Sequence, residues 1–336
     1  MKKLLTAALL CLFAISTTAV FAKGQSEATS ATKPLIGISK FVTHPALDAV
    51  EKGIQDELKA EGVDASYDLQ NANADVNTAA QIADKFESEH VTLAVGIATP
   101  TAQALVNKIK NIPIVYSAVT DPVGAGLVAS TTQGGANVTG VSDLTPVKEQ
   151  IELLMKIKPI KRLGMVYTSS ESNAVALAKL AKAACNELGI EFITQTVSTS
   201  AEVMQATQAI VGRVDGIYVS TDNTVVSALP SLLDVAMKAG VPVMSADPSS
   251  AATLPVLAAW GFDYYKLGRA TGRMIVEILH GKKTSDIPTK YMTDPSDVDL
   301  LINLDVAKKL GLTVPKSIID SANEIVQNGQ LTKKGQ

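Results

Sequence analysis

Apolar and polar positions along this chain of 336 residues fall into two alternating periods. Short β-branched runs are followed by longer stretches in which apolar residues recur every three or four positions, the alternation that βαβ units of a parallel sheet require. LIGIS at 35–39 leads into PALDAVEKGIQDELKAEGV, where Leu47, Val50, Ile54 and Leu58 mark one helical face and Gly62 the stop. TLAVGIA at 92–98 precedes the helical TPTAQALVNKI, and IPIVYSAV follows at 112–119. The second half repeats the plan. RLGMVYTSSESNAVALAKLAKAACNELGI answers the first strand and helix, GIYVSTDNTVVSAL answers VGIATPTAQAL, and VPVMSADPSS answers IPIVYSAVTDP.

Each of these strands ends in polar residues at the same place: SKFVTHP beside YTSSESN, GIATPT beside STDNTV, SAVTDP beside SADPSS. In an open parallel sheet, ligands bind beyond the carboxyl ends of the strands, where loops meet the N-termini of the following helices. Helix capping explains a single Ser, Thr, Asp or Asn at such a place. Several of these loops carry more polar groups than one cap uses, so two halves facing each other predict one cleft ringed by polar tips. GGANVTGVSDLTP at 134–146 has the content of a connection and places a first crossover. AAWGFDYY at 258–265 places a second, and the last strand region and helix after the 266–283 helix leave room for a third. Such crossovers form a hinge between closing lobes. The expected layout is a first lobe of residues 34–143 with 262–290 and a second of 144–261 with 291–330.

Composition bounds the class. Lys2 and Lys3, the apolar stretch Leu4 to Ala14 and the small-residue pattern Val20-Phe21-Ala22 make residues 1–22 a secretory signal. The apolar stretch is too short for a membrane span and is followed by Ser16, Thr17 and Thr18. Cys11 follows Ala8-Leu9-Leu10, with a bulky Leu where an acylation site wants a small residue, so the expectation is a periplasmic protein without a lipid anchor. Residues 23–33 read as a disordered leader. The 314 residues beyond the signal exceed what one core serves, which favours two domains. With Cys11 removed, only Cys185 remains, on a helix among Ala and Leu, so no internal disulfide is available. A net charge of −3 with both signs interspersed argues against a nucleic-acid surface. Enzyme chemistry finds no support: His44, His90 and His280 lack metal-ligand spacing, and neither G-x-S-x-G nor G-x-G-x-x-G occurs. No cofactor or metal is expected.

SAVTDPVGAGLV, NVTGVSD, GFDYYKLGRATGRMIVEILHGKKTSDIP and INLDVAKKLGLTVPKSII resemble the ABC-transporter substrate-binding proteins related to tryptophan- and tyrosine-transport receptors. The resemblance spans nearly the whole mature chain, with TDPV and DYYKLGR its most specific parts. It implies an α/β, type I periplasmic-binding-protein fold, with two Rossmann-like lobes of parallel sheet joined by a multi-strand hinge. It also implies delivery of a small molecule, an amino acid and aromatic among the candidates, to the transmembrane subunits of an ABC permease. A monomer is expected. The rival reading is a sensing module that docks on a membrane signalling receptor, and the ligand itself stays open.

An amino acid presents a carboxylate and an ammonium. Thr99 and Thr101 at a helix start, with Ser117 and Thr120 at the next strand end, are expected to hold the carboxylate, as corresponding loops do in related branched-chain amino-acid receptors. Asp222, between Thr221 and Asn223, and Asp247 are expected to accept from the ammonium. Phe41, with Thr43 on the same loop, and Tyr167 are placed to sandwich a side chain. Ser169, Ser170 and Asn173 join Tyr167 on its loop, where Glu171 is either cap or contact; Asp121 reads as a turn former.

Overall fold

Residues 33–334 are described by the structure, a computed structural model; the export segment 1–22 and the leader up to residue 32 lie outside the described residues. Where the sequence alternates in period, strands and helices alternate in space. The first sheet is built from β1 (Leu35–Lys40), β2 (Ser66–Asn71), β3 (Leu93–Ile97), β4 (Ile114–Ser117) and β5 (Val138–Ser142), in the spatial order β2-β1-β3-β4-β5 and all parallel. The second sheet repeats that order with β6 (Arg162–Thr168), β7 (Glu191–Val197), β8 (Gly216–Val219), β9 (Val243–Ser245) and β10 (Ala258–Phe262), as β7-β6-β8-β9-β10. The duplication seen in the sequence is therefore a duplication of topology, and it gives each lobe a point where the strand order reverses, between β1 and β3 and between β6 and β8.

The chain then returns. β11 (Lys290–Tyr291) extends the first sheet beside β5, while β12 (Val298–Asn303), β13 (Glu324–Gln327) and β14 (Gln330–Lys333) extend the second. The two sheets match the two lobes of a type I periplasmic-binding-protein fold, but the second is not purely parallel. β12 runs antiparallel to β10, and β14 antiparallel to β13. A chain crossing back from the other lobe enters this edge from the opposite end, so it pairs in the opposite sense. The segment read as a mere connection at 134–146 contains β5, whose VTGVS is buried throughout.

Helices cover the sheets: α1 (Pro45–Ala60), α2 (Val76–Ser88) and α3 (Thr99–Lys108) in the first half, and α4 (Val147–Ile157), α5 (Ser172–Leu188), α6 (Val203–Val211), α7 (Asn223–Ser227), α8 (Leu229–Lys238) and α9 (Pro248–Ala251) in the second. After β10 the chain crosses back, and α10 (Tyr264–Leu279) packs on the first sheet, sending Leu267, Ala270 and Ile275 into the same core as Ile36, Val95 and Val115. Cys185 is buried in the core of the second lobe.

α10 is fastened to α1 by an unusually close seam. Gly53 faces the Tyr265 carbonyl and Gly268 faces the Val50 carbonyl, so the two backbones touch where side chains normally intervene. Glu57, 2% exposed, closes the seam by pairing with Arg269 and, at 3.1 Å, with Arg273. This contact sets where the second crossover re-enters the first lobe. A methyl group at Gly268 would overlap the Val50 carbonyl, and overpacking of this kind costs about 1–3 kcal/mol. Gly268→Ala should therefore lower the melting temperature by several degrees in a calorimetric scan, and an unchanged value would show that the seam yields freely.

Candidate functional site

At the carboxyl ends of both sheets, residues from each lobe surround one cavity. His44 and Leu47 come from the start of α1, Ala118 and Thr120 from the end of β4, and Tyr264 from the start of α10. Asn173 comes from α5, Thr221 and Asp222 from the β8–α7 turn, Asn223 and Val226 from α7, Asp247 from the start of α9, and Asp143 from the first crossover. As the lobes stand, the cavity is about 10 Å³, the room of roughly one water molecule. An open groove of about 720 Å³ adjoins it, sharing Thr120 and lined by Ala125, Leu144, Ser169, Ser170, Lys179 and Leu180 among others.

Of the expected site residues, the structure brings Thr120, Asn173, Thr221, Asp222, Asn223 and Asp247 to the cavity, and Ser169 and Ser170 to the groove. The others stand elsewhere. Phe41 is buried in the first core, and Tyr167 packs half-buried against the second. Thr43 accepts from the Asn71 amide at 2.7 Å on the surface. The Thr101 hydroxyl donates back to the carbonyls of Ile97 (2.7 Å) and Ala98 (3.0 Å), a local bond that a buried helical threonine makes when nothing else is in reach. Ser117 pairs with the Thr271 hydroxyl of α10 at 2.6 Å, and Thr99 is buried at the start of α3. Asp121 accepts from the Gly124 N–H at 2.8 Å, as a turn former does.

The carboxylates divide by what already holds them. Asp222 caps α7: its Oδ1 accepts from the Val225 N–H at 3.0 Å and the Thr168 hydroxyl at 2.8 Å, and its Oδ2 from the Thr168 N–H at 2.6 Å. Glu171, 2% exposed, accepts from the N–H and hydroxyl of Thr224 and from the Asn223 side chain. Both oxygens of each are thus occupied by protein donors. Asp247 differs. Its Oδ1 accepts from the Ser250 N–H at 3.1 Å, but its Oδ2 is buried without a partner. Asn173 Oδ1, Thr221 Oγ1 and both ring nitrogens of His44 are in the same condition.

His44 and Asp143 were not among the expected residues. His44 precedes Pro45 at the start of α1, an extended residue whose side chain caps nothing. Burial holds its imidazole below the ordinary histidine value, against the pull of Asp247, Asp48, the Asn223 amide and Glu171. Asp143 accepts from the hydroxyls of Thr120 and Tyr264, each at 3.1 Å. Burial pushes its carboxyl up to about 6 despite those bonds. Burial and the charge of Glu171 likewise raise Asp222. Ala118, which lines the cavity at the end of β4, holds positive φ (56°) without being glycine, as does Ala98 (φ 78°) at the end of β3.

A family model described as ABC transporter substrate binding protein matches residues 35–326. The tyrosine-binding protein of Clostridioides difficile (strain R20291) is 38% identical over 282 residues, 82% of this chain and 81% of that protein. Among solved structures, the ABC domain from Streptococcus pneumonia in complex with L-Trp aligns at 34% identity over 88% of this chain and 100% of that one, with a TM-score of 0.84. A ligand-free, open substrate-binding protein with adhesive properties from Clostridium difficile is 38% identical over 84% of this chain and 96% of its own, yet its TM-score is 0.63. The chain thus superposes better on the Trp-bound relative than on the open one, although it is less identical to it in sequence.

The raised carboxyl of Asp143 has a measurable consequence. Its folded pKa of about 6 exceeds the unfolded value of about 3.9, so the stability it contributes is complete below about pH 4 and is lost as pH rises through about 6. The lowered imidazole of His44 acts in the opposite sense, contributing above about pH 6.5 and losing that as pH falls. Comparing wild type with Asp143→Asn isolates the first effect. Denaturant titrations of ligand-free protein at pH 4.5 and 7.5 should show wild type gaining roughly 2 kcal/mol at the acidic value relative to the variant. Identical pH dependence in both proteins would place Asp143 in a wetter environment than this one.

Proposed function

The chain belongs to the ABC transporter substrate-binding protein family, and on that footing we propose that it is an extracytoplasmic receptor for an amino acid, aromatic in kind, which it captures between its lobes and presents to the transmembrane subunits of an ABC permease. One observation carries this reading. Buried polar atoms without protein partners converge on one cavity from both lobes: His44 from the first, and Asn173, Thr221 and Asp247 from the second. A buried polar atom left unpaired costs about 1–3 kcal/mol, and scattered exceptions are rare enough that several on one cavity call for a partner. A ligand that pairs with both walls at once favours the closed arrangement by its differential contacts.

The relatives narrow the class, since one is named for tyrosine and another holds L-Trp. The cavity's own chemistry agrees with a ligand bearing an ammonium. Asp143, Asp222 and Asp247 line it, and among the described residues neither Lys nor Arg does. Asp247 Oδ2 and Asn173 Oδ1 are the acceptors left free for the ammonium, while Asp222 holds α7 in place beneath them. Thr221, whose hydroxyl is unpartnered, is the donor we assign to the carboxylate, while the Thr120 hydroxyl is already given to Asp143. A space the size of a water does not admit an amino acid, so loading follows separation of the lobes about the crossovers. No catalytic step is assigned to these groups; their work is binding and release.

Charge-assisted hydrogen bonds are the stronger kind, and removing the charge of Asp247 should weaken an ammonium ligand more than tenfold. Asparagine keeps the cap on the Ser250 N–H, so the fold should survive. Titration calorimetry of wild type and Asp247→Asn with L-tyrosine and L-tryptophan tests this, with thermal melting as the control for folding. Undiminished affinity for every amino acid that wild type binds would remove Asp247 from the ammonium site.

A further inference from the structure

We propose that His44 exchanges its proton for the ligand's ammonium, so that an amino acid binds with release of a proton from the imidazole and binds more weakly as the surroundings turn acid. This rests on the amino-acid reading of the cavity and adds a control of it by pH. Among the described residues lining the cavity, His44 alone can become a cation. Acids lie around it on every element that packs there: Asp48 one turn along α1, Glu171 before α5, Asp222 at the cap of α7, Asp247 at the start of α9 and Asp143 on the first crossover. Most of them are already engaged. Asp48 pairs with Lys40 at 2.6 Å, each oxygen of Asp143 accepts a hydroxyl, and Glu171 and Asp222 have both oxygens occupied. Among these acids only Asp247 keeps an oxygen free, and it stands on the lobe opposite His44, where α9 touches α1. The ammonium of a ligand and the imidazolium of His44 therefore compete for one oxygen.

With the lobes apart, His44 meets water and carries a proton much of the time below about pH 6.5. With the lobes together it is 8% exposed and neither ring nitrogen has a partner within the protein, so a charge on it must be paired or given up. The ammonium takes Asp247 Oδ2. A second positive charge beside it is then opposed by burial and by repulsion at once, and the proton leaves for solvent as the lobes close. Burial by itself already holds the imidazole below the ordinary histidine value in this closed arrangement. The loaded form thus binds fewer protons at His44 than the open form does. Affinity accordingly falls as pH drops below about 6.5, by up to about tenfold per pH unit, and is flat at this residue above it. Asp143 and Asp222, both pushed up by burial, act in the reverse sense on closing, and they do so whether residue 44 titrates or not.

The test is titration calorimetry on the exported protein as wild type and His44→Gln, which keeps a donor and an acceptor but does not titrate. The probe is whichever of L-tyrosine and L-tryptophan wild type binds more tightly at pH 7, and thermal melting checks the fold. Between pH 7 and 5.5 wild type should weaken roughly fivefold to tenfold more than the variant does. At pH 6, in two buffers of different ionisation enthalpy, wild type should release about half a proton more than the variant. If the variant fails to fold, proton NMR of the three imidazoles of wild type decides. His90 and His280 are exposed and should titrate alike with and without ligand, whereas the third ring should stay neutral to about pH 5 once ligand saturates. Matching pH dependence in wild type and His44→Gln, or three histidines whose titration ignores the ligand, overturns the proposal and leaves the amino-acid reading standing. Failure of both amino acids to bind wild type at millimolar concentration at pH 7 overturns that reading, and this inference with it.

Discussion

Everything at this site follows from one constraint, that a polar group buried at the end of a parallel strand must find a partner. The β8–α7 turn shows it most plainly. α7 spans only Asn223–Ser227, too short to be stable by itself, and its first N–H groups are buried. Asp222 and Glu171 meet those donors, one from the turn and one from the neighbouring loop after β6. Burial, and after it the repulsion of the neighbouring Glu171 charge, push Asp222 toward its protonated form. The arrangement is held by many hydrogen bonds and weakened by one repulsion, and it fixes the floor beneath Asn173 and Thr221. Where the same constraint is met only in part, at Asp247, the remaining oxygen is left to the cavity.

Much of this fold is written locally, and the parts that are not share a cause. The alternation of periods names β1, β3, β4, β6, β8 and β9 and the helices α1, α3, α5 and α10, because buried parallel strands and one-faced helices leave unlike patterns, whereas the half-exposed edge strands β2 and β7 leave no such run. β5 escapes because its five residues carry Gly140 and a serine and are flanked by Asn137 and Asp143, the composition of a loop. The antiparallel partners of the second sheet depend on which way the chain re-enters, which no local pattern records.

At the site, residue types are legible and directions are not. Phe41, by its aromatic character, suggests a stacking face, but it falls in the first core, and His44 three residues later lines the cavity. A histidine immediately before a proline, at the first turn of a helix where Ser, Thr or Asp would cap, is the one signal that could have marked it. Thr101 and Asp222 carry the right groups for ligand contact, and the structure commits those groups to backbone partners. Asp222 and Asp247 each cap a helix with one oxygen, and only the three-dimensional arrangement shows that Thr168 takes the other oxygen of Asp222 while that of Asp247 is left without a partner.

Hinge and cavity are built from shared residues, and this couples binding to closure without any separate device. Asp143 lies on the first crossover and accepts from the hydroxyl of Tyr264, which begins α10 just after the second. Both residues line the cavity. α10 is locked to α1 through the glycine seam, so Tyr264 moves with His44 and Leu47 as one body. Asp143, by contrast, leads directly toward α4 of the second lobe. A rotation about the crossovers must therefore change the distance between Asp143 and the groups around it, and a ligand that fixes those distances fixes the rotation. At the rim, Ser172 of α5 lies 3.5 Å from the Gln103 side chain of α3, a weak contact across the lobes that opposes opening only slightly. A ligand that pairs with the buried atoms of the cavity from both lobes adds to such contacts and shifts the balance between open and closed forms by its differential affinity.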